Sequence, residues 1–424
     1  MRELKAAVIG AGSTYTPELI EGFIARKDSL NFQNIYLMDI IKEKLEVTGG
    51  LAERMLVSKG FKGKVVLTHD LDEALAEADY VFAQIRVGGM EARIRDEKIP
   101  LKHGLLGQET TGAGGFMNAL RTVPVMLDIA RRMEKLSPDA WLINFSNPSG
   151  IVSEALLNHT KVKMIGLCNC FINMHAEIAK ITGTTDFDYD YIGLNHLSWV
   201  TSVRSGGKEL LSALGKAAGT KMKNIPDVKY DDELLAALPA IPSSYLSYFY
   251  LRDEQLQKCL EAEKTRGEVC VELEDSLIEK YKNQALNDKP EELASRGGSL
   301  YSTAAVSVVD AIENDKNEYH VVNVKNSGVL SFLEDNDVAE LKCLVNRKGA
   351  VPAAVKKPDS FYISGLMQAV KAYEKLTVRA AINGSRADAL AALMVHPLIG
   401  DYHKAKAVLD EMIAANLEYL PEFA

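Results

Sequence analysis

Residues 4–15 read Leu4-Lys5-Ala6-Ala7-Val8-Ile9-Gly10-Ala11-Gly12-Ser13-Thr14-Tyr15, and they set the fold of the first half. An apolar strand ends on Gly-x-Gly, and a helix is expected from about Pro17 to Ala25. Glycines at this spacing let the backbone approach an anion closely, while the first turn of the helix points unpaired N–H groups toward it. This is the strand–turn–helix opening of a dinucleotide site. The usual third glycine is missing, and Tyr15 stands in its place. An ordinary tight turn with no ligand is the plainer alternative.

Working outward, Ile35-Tyr36-Leu37-Met38-Asp39 is a second strand that ends on a carboxylate. Asp39 is placed to accept hydrogen bonds from a ribose 2′-OH and to repel a 2′-phosphate, which favours NAD over NADP. Ser13 and Thr14 supply hydroxyls for phosphate oxygens of either cofactor or substrate. A helix through Leu56 follows, then strands over Val65–Leu67, Tyr80–Ile85, Trp141–Phe145 and Val162–Leu167, with helices over Asp72–Ala78 and Met117–Lys135 between them. Alternation with short connections predicts an α/β fold, a doubly wound parallel sheet of Rossmann type. Past Leu167 the pattern changes. Asp186–Leu197 and the run from Val200 look strand-like with a Gly206-Gly207 hairpin, Asp231–Asn287 is charged and helix-rich, Val321–Val324 suggests a strand of a second domain, and Asp359–Asn416 is mostly helical. The expected division is 1–167 for the dinucleotide and 168–424 for a closely packed α+β domain carrying metal, substrate and subunit contacts.

A chain of 424 residues exceeds the usual single core, which is consistent with that division. A net charge of -9, with no broad basic stripe, argues against a nucleic-acid partner but leaves room for a local arginine pocket. The N-terminal apolar run is too short for a signal peptide, and no run is long enough to cross a bilayer, so a cytoplasmic protein without a membrane partner is expected. Five cysteines, Cys168, Cys170, Cys259, Cys270 and Cys343, form no zinc-finger spacing and read as reduced thiols.

The later motifs are more specific. They are Arg86-Val87-Gly88-Gly89-Met90-Glu91-Ala92-Arg93, Asp96-Glu97, Gly107-Gln108-Glu109-Thr110-Thr111-Gly112 with Gly114-Gly115, Asn147-Pro148, Cys168-Asn169, Asn195-His196-x-x-Trp199, Tyr245-Leu246-x-Tyr248, Thr265-Arg266-Gly267 and Arg296-Gly297-Gly298. In this order, from residue 10 to about 302, the chain resembles glycoside hydrolase family 4. The resemblance implies a glycosidase that requires NAD and a divalent metal, commonly Mn2+, and acts on 6-phosphorylated disaccharides or glycosides. Cys168 and His196 match the family's metal ligands; a thiolate and an imidazole leave coordination positions open for sugar hydroxyls. His175 is a competing ligand that spacing alone does not exclude. Arg93, Glu109, Asn147, Asn169 and Arg266 match substrate-binding positions, with Arg266 the better candidate for the 6-phosphate. Salt bridges, turn residues and buried thiols are the plainer readings of the same side chains.

Asn169, after the metal-binding cysteine, resembles the 6-phospho-β-glucosidases of the family, whereas Cys170-Phe171 departs from the more usual Val-Pro. The implied reaction oxidises C3 of the phosphosugar with NAD and removes the acidified C2 proton through Tyr245, with Tyr248 in reserve. It then eliminates the aglycone, adds water and reduces C3 again. A neutral Asn169 cannot protonate the leaving group. A 6-phospho-α-glucosidase and an NAD-dependent 2-hydroxy-acid dehydrogenase are the alternatives, and a non-enzymatic NAD-binding protein is more remote. A homodimer or homotetramer is expected.

Overall fold

A computed structural model describes residues 1–214, 225, 230–238, 240–296, 301–356 and 360–423. Six strands, Leu4–Ile9 (β1), Phe32–Met38 (β2), Lys64–Thr68 (β3), Tyr80–Ala83 (β4), Trp141–Asn144 (β5) and Lys163–Gly166 (β6), pair in parallel in the order 3-2-1-4-5-6. β1 and β4 are nearly continuous apolar runs because both faces of the sheet are covered, and Ala6, Ala7, Val8, Val81 and Phe82 are fully buried. The intervening helices are Thr16–Ala25 (α1), Lys42–Ser58 (α2), Leu71–Leu75 (α3), Gly89–Lys102 (α4), Gly112–Leu136 (α5) and Ser149–His159 (α6). The order reverses between β1 and β4, and such a switch point opens a crevice at the carboxyl edge of a parallel sheet.

Helix Cys170–Thr182 (α7) follows β6 and ends on Gly183, whose φ of +72° closes the helix in the left-handed region. Asp188–Leu194 (β7), Leu197–Ser205 (β8), Lys208–Glu209 (β9) and Ile241–Pro242 (β10) form a second, four-stranded antiparallel sheet. The expected hairpin is present, with Gly206 and Gly207 both at positive φ between β8 and β9. One expectation is corrected. The strand around Val321–Val324, Glu318–Lys325 (β11), lies in the main sheet, where Asn323 pairs antiparallel with Gly166 of β6. Val338–Asn346 (β12) and Gly349–Pro352 (β13) continue the sheet, for nine strands in all. The reason is the open edge: β6 would otherwise present unpaired backbone groups, and antiparallel addition satisfies them without a crossover. Helix Phe361–Asn383 then packs on α5 and α6, so later chain closes the first-half core. No helix among the described residues is long and apolar enough to cross a membrane.

Candidate active site

Four consecutive strands deliver their downstream loops to one sheet edge. After β1 comes Gly10, whose φ of +89° suits glycine, and a Cβ there would stand 2.8 Å from the Gln84 carbonyl beyond β4. The Gly12 N–H donates to Asp39 Oδ2 at 2.8 Å and the Ile41 N–H to Asp39 Oδ1 at 2.9 Å. Asp39, expected as a ribose acceptor, therefore also shapes the turn itself. A Cβ on Gly12 would lie 2.8 Å from that carboxylate. The Thr14 hydroxyl is buried without a hydrogen-bond partner among the described residues, while Ser13 is half-buried. A shallow backbone cradle with an acidic residue at the second strand fits an NAD adenosine half.

The loop after β5 is pinned to the loop after β4 by the Ile85 N–H, which donates to Ser146 Oγ at 3.0 Å. It presents Asn147, ahead of a cis Pro148, with a buried Oδ1 that meets no donor among the described residues. After β6 come Cys168 and the buried Asn169, and α7 begins at Cys170. The Cys170 N–H reaches Cys168 Sγ at 3.4 Å. Hydrogen bonding from the Cys170 thiol and the nearby His196 ring hold the Cys168 thiol well below its usual pKa, outweighing burial. The same contact and burial push the Cys170 thiol well above its usual value.

His196 arrives from the turn between β7 and β8, at a φ of +62° that a side-chain-bearing residue adopts only when its surroundings impose it. Asn195 supplies that restraint. Its Oδ1 accepts from the Gly150 N–H at 3.3 Å, and its Nδ2 donates to Glu340 Oε2 at 3.1 Å. Glu340, fully buried on β12, also accepts a short hydrogen bond from the Tyr191 hydroxyl. Asn195 thus ties the histidine turn both to the start of α6 and to the Glu340 carboxylate on β12. The ligand atoms of Cys168, Cys170 and His196 all lie within 4.8 Å of one another, and His196 Nδ1 is buried without a partner among the described residues. A thiolate beside an unsatisfied imidazole fits a divalent ion. His175 lies outside this group, its ring stacked 4.6 Å from Phe187 within an aromatic cluster.

Tyr245, on a short 3-10 turn over Ser244–Leu246, stacks on the His196 ring at 3.9 Å and 14°. Burial pushes its hydroxyl well above the usual value, and the neighbouring thiols and Glu109 push the same way. Tyr248 is 6.3 Å farther on, between centroids, and faces a cavity of about 240 Å³ lined also by Arg93, Glu97, Lys258, Lys264 and Arg266.

Arg93 and Glu109 are together. Arg93 bridges Glu97 at 2.9 Å and Glu109 at 3.1 Å, while Arg86 holds the other Glu109 oxygen at 2.6 Å. Burial alone would raise the Glu109 pKa; the two guanidiniums overcome it and hold it at about 2. Glu97 also caps helix Arg266–Tyr281 by accepting from the Gly267 N–H at 2.6 Å. Arg266 Nη2 donates to the carbonyls of Ser295 and Arg296, leaving Nε buried without a partner among the described residues. At the far end of that helix the Tyr281 hydroxyl donates to the Thr14 carbonyl at 2.9 Å, against the Gly10 turn. Gly297 and Gly298 of the Arg296 motif lie outside the described residues; Arg296 itself pairs with Glu274 and lies 4.4 Å over the Tyr15 ring.

Sequence reasoning left Arg86, Cys170 and Glu340 out of the site. Arg86 opens the Arg86–Arg93 motif just past a strand, which was a usable signal. Cys170 registered only as a departure from pattern. Glu340, in an alternating strand, carried no local signal at all.

Compared with known proteins, residues 5–184 match the family 4 glycosyl hydrolase model, and residues 191–399 match the model of that family's C-terminal domain. A Bacillus subtilis (strain 168) protein named "Probable 6-phospho-beta-glucosidase" is 42% identical over 99% of this chain and 98% of its own length. An Escherichia coli (strain K12) 6-phospho-beta-glucosidase is 40% identical over 100% of this chain and 97% of its own. The solved structure of the Thermotoga maritima 6-phospho-beta glucosidase with manganese, NAD+ and glucose-6-phosphate superposes with a TM-score of 0.92 at 35% identity, covering 99% of this chain and 100% of that one. A lactate dehydrogenase from Cryptosporidium parvum, 15% identical with a TM-score of 0.54 over 90% of this chain and 99% of its own, shares the fold alone.

Proposed function

The chain belongs to glycosyl hydrolase family 4, and from that premise we propose that it hydrolyses 6-phospho-β-glucosides with NAD and a divalent metal, manganese foremost. The observation that carries the reading is the convergence of Cys168, His196 and Tyr245 at the sheet edge that also bears the Gly10 turn. β6 and β1 are three strand spacings apart, about 14 Å along that edge, room for an extended cofactor. Residues 1–167 hold the dinucleotide through Gly10, Gly12, Ser13, Thr14 and Asp39. Residues 168–424 supply the metal ligands, much of the sugar pocket and the contacts between copies.

When bound, NAD accepts and returns a hydride and the ion polarises vicinal sugar oxygens. The sugar is oxidised at C3, deprotonated at C2, loses its aglycone from C1, takes up water there and is reduced again at C3. Tyr245 Oη receives the C2 proton. Its burial raises its proton affinity, so the base becomes effective only where positive charge is brought beside the stacked His196 ring. Glu109, ionised between Arg86 and Arg93, accepts hydrogen bonds from sugar hydroxyls, and Asn147 and Asn169 orient the ring. Arg266, with its uncommitted Nε, faces the phosphate.

The test is a paired assay of α- and β-linked chromogenic 6-phosphoglucosides, with and without NAD and Mn2+, in deuterated water. Cleavage of the β substrate, unconsumed NAD and deuterium at C2 of the product are expected. Cleavage of the α substrate alone would move the chain to the α-specific members. Stoichiometric NADH with an oxidised product would indicate a dehydrogenase. We further propose a cytoplasmic homodimer or homotetramer. The supporting feature is Phe361, 95% exposed beside the half-exposed Tyr362, an apolar pair suited to a second copy, and light scattering on the eluted protein reads the state directly.

A further inference from the structure

We infer that Cys170 is a third protein ligand of the metal, making this a two-thiolate, one-imidazole site. The inference rests on the reading that Cys168 and His196 hold the ion. Three geometric facts support it. The two sulfurs and a His196 ring nitrogen form a group in which no pair exceeds 4.8 Å. Two thiolates on one zinc-sized ion, at about 2.3 Å each, stand roughly 3.8 Å apart, so the group needs a contraction of about 1 Å at most. All three residues are nearly inaccessible, with exposures of 5%, 2% and 4%, so a bound ion would meet little competition from solvent.

The local chain explains how a second sulfur arrives there. Cys168 lies in the loop after β6 and Cys170 starts α7, so the backbone turns between them and both side chains face the same corner. Both are free thiols, so neither is committed to a disulfide. Each sulfur would bind the ion as a thiolate, so any thiol proton it carries leaves to solvent as the bond forms. Three protein ligands still leave positions for sugar oxygens, as in catalytic zinc sites. Two thiolates are softer than a thiolate with carboxylate or amide oxygen. The chain should therefore hold zinc or cobalt more tightly, relative to manganese, than a one-thiolate site would.

The experiment uses the full chain, reduced, stripped with a chelator and titrated with Co2+, reading the near-ultraviolet thiolate-to-cobalt absorption. The wild type is expected to show the intensity of two thiolates, and Cys170→Val, close to it in size, to halve it. Cys170→Ser should halve it too, so a packing defect in one variant does not decide the result. Competition by Mn2+ against Zn2+ should shift toward Mn2+ in both. Wild-type intensity of one thiolate, unchanged in both Cys170 variants and abolished in Cys168→Ser, would overturn the proposal and leave the Cys168–His196 site standing. No thiolate band in any protein would overturn both.

Discussion

The Gly10 turn and the Cys168–His196 corner share one sheet edge and are built on opposite plans. The turn is backbone held tight: glycines that a Cβ would crowd, and a carboxylate already bound to two main-chain N–H groups. The corner is side-chain chemistry left incomplete, with buried nitrogen and oxygen atoms on His196 and Asn147 that meet nothing among the described residues. The lesson is that one site recognises by shape and is sensitive to added atoms. The other recognises by donor type and is sensitive to removed ones.

The largest effect should come from breaking the second. His196→Ala is expected to lower hydrolysis by about 10³-fold or more, the loss of several kcal/mol of metal assistance, without recovery at high Mn2+. Chelated wild type should recover fully when Mn2+ is restored, and a similar recovery by the variant would break the contrast. Tyr245→Phe removes one oxygen and should reduce kcat by about 10²–10⁴-fold while abolishing deuterium incorporation at C2. Gly10→Ala adds one carbon and should act differently. It should destabilise the turn by about 1–3 kcal/mol and raise the KM for NAD, with metal affinity unchanged in a Mn2+ titration.

The pH behaviour sharpens the comparison. Glu109 is lowered from 4.5 to about 2 in the folded chain, so its contribution to stability is complete above the unfolded value and lost as pH falls toward 2. The stability gap between wild type and Glu109→Gln should therefore be constant near neutrality and close between about pH 4.5 and 2 in acid unfolding curves. The smallest effect is assigned to Ser13→Ala. Its half-buried hydroxyl accepts one long hydrogen bond, from the Tyr15 N–H at 3.3 Å, and its loss should change stability by no more than about 0.5 kcal/mol.

How far each region was legible follows from the same distinction. β1, the Gly10 turn and β2 are local, written in an apolar run, two glycines and an aspartate, and the alternation up to Leu167 extends that local grammar. Helix α4 was not anticipated, since Gly88-Gly89 and Pro100 mask a helix whose buried face is largely charged through Arg93, Asp96 and Glu97. The placement of β11 beside β6, the pairing of Arg86 with Glu109 and the Glu340–Asn195 contact join residues far apart in sequence. No periodicity encodes such partners. Cys168, His196 and Tyr245 were nameable through family motifs, while their stacking and enclosure were not. The second sulfur stood in plain sight two positions on, but a cysteine in an apolar setting reads as filler until a fold gives it neighbours.

The helix Arg266–Tyr281 acts as a ruler. Its sixteen residues span about 24 Å, with one end clamped by Glu97 and the other by the Thr14 carbonyl. The interval between the ends of the reactive cleft is thus fixed by a rod of set length, whatever the surrounding loops do. Insertions in those loops leave that interval alone. One extra residue inside the rod would turn its two ends about 100° out of phase, so Gly267 and Tyr281 could no longer both meet their anchors.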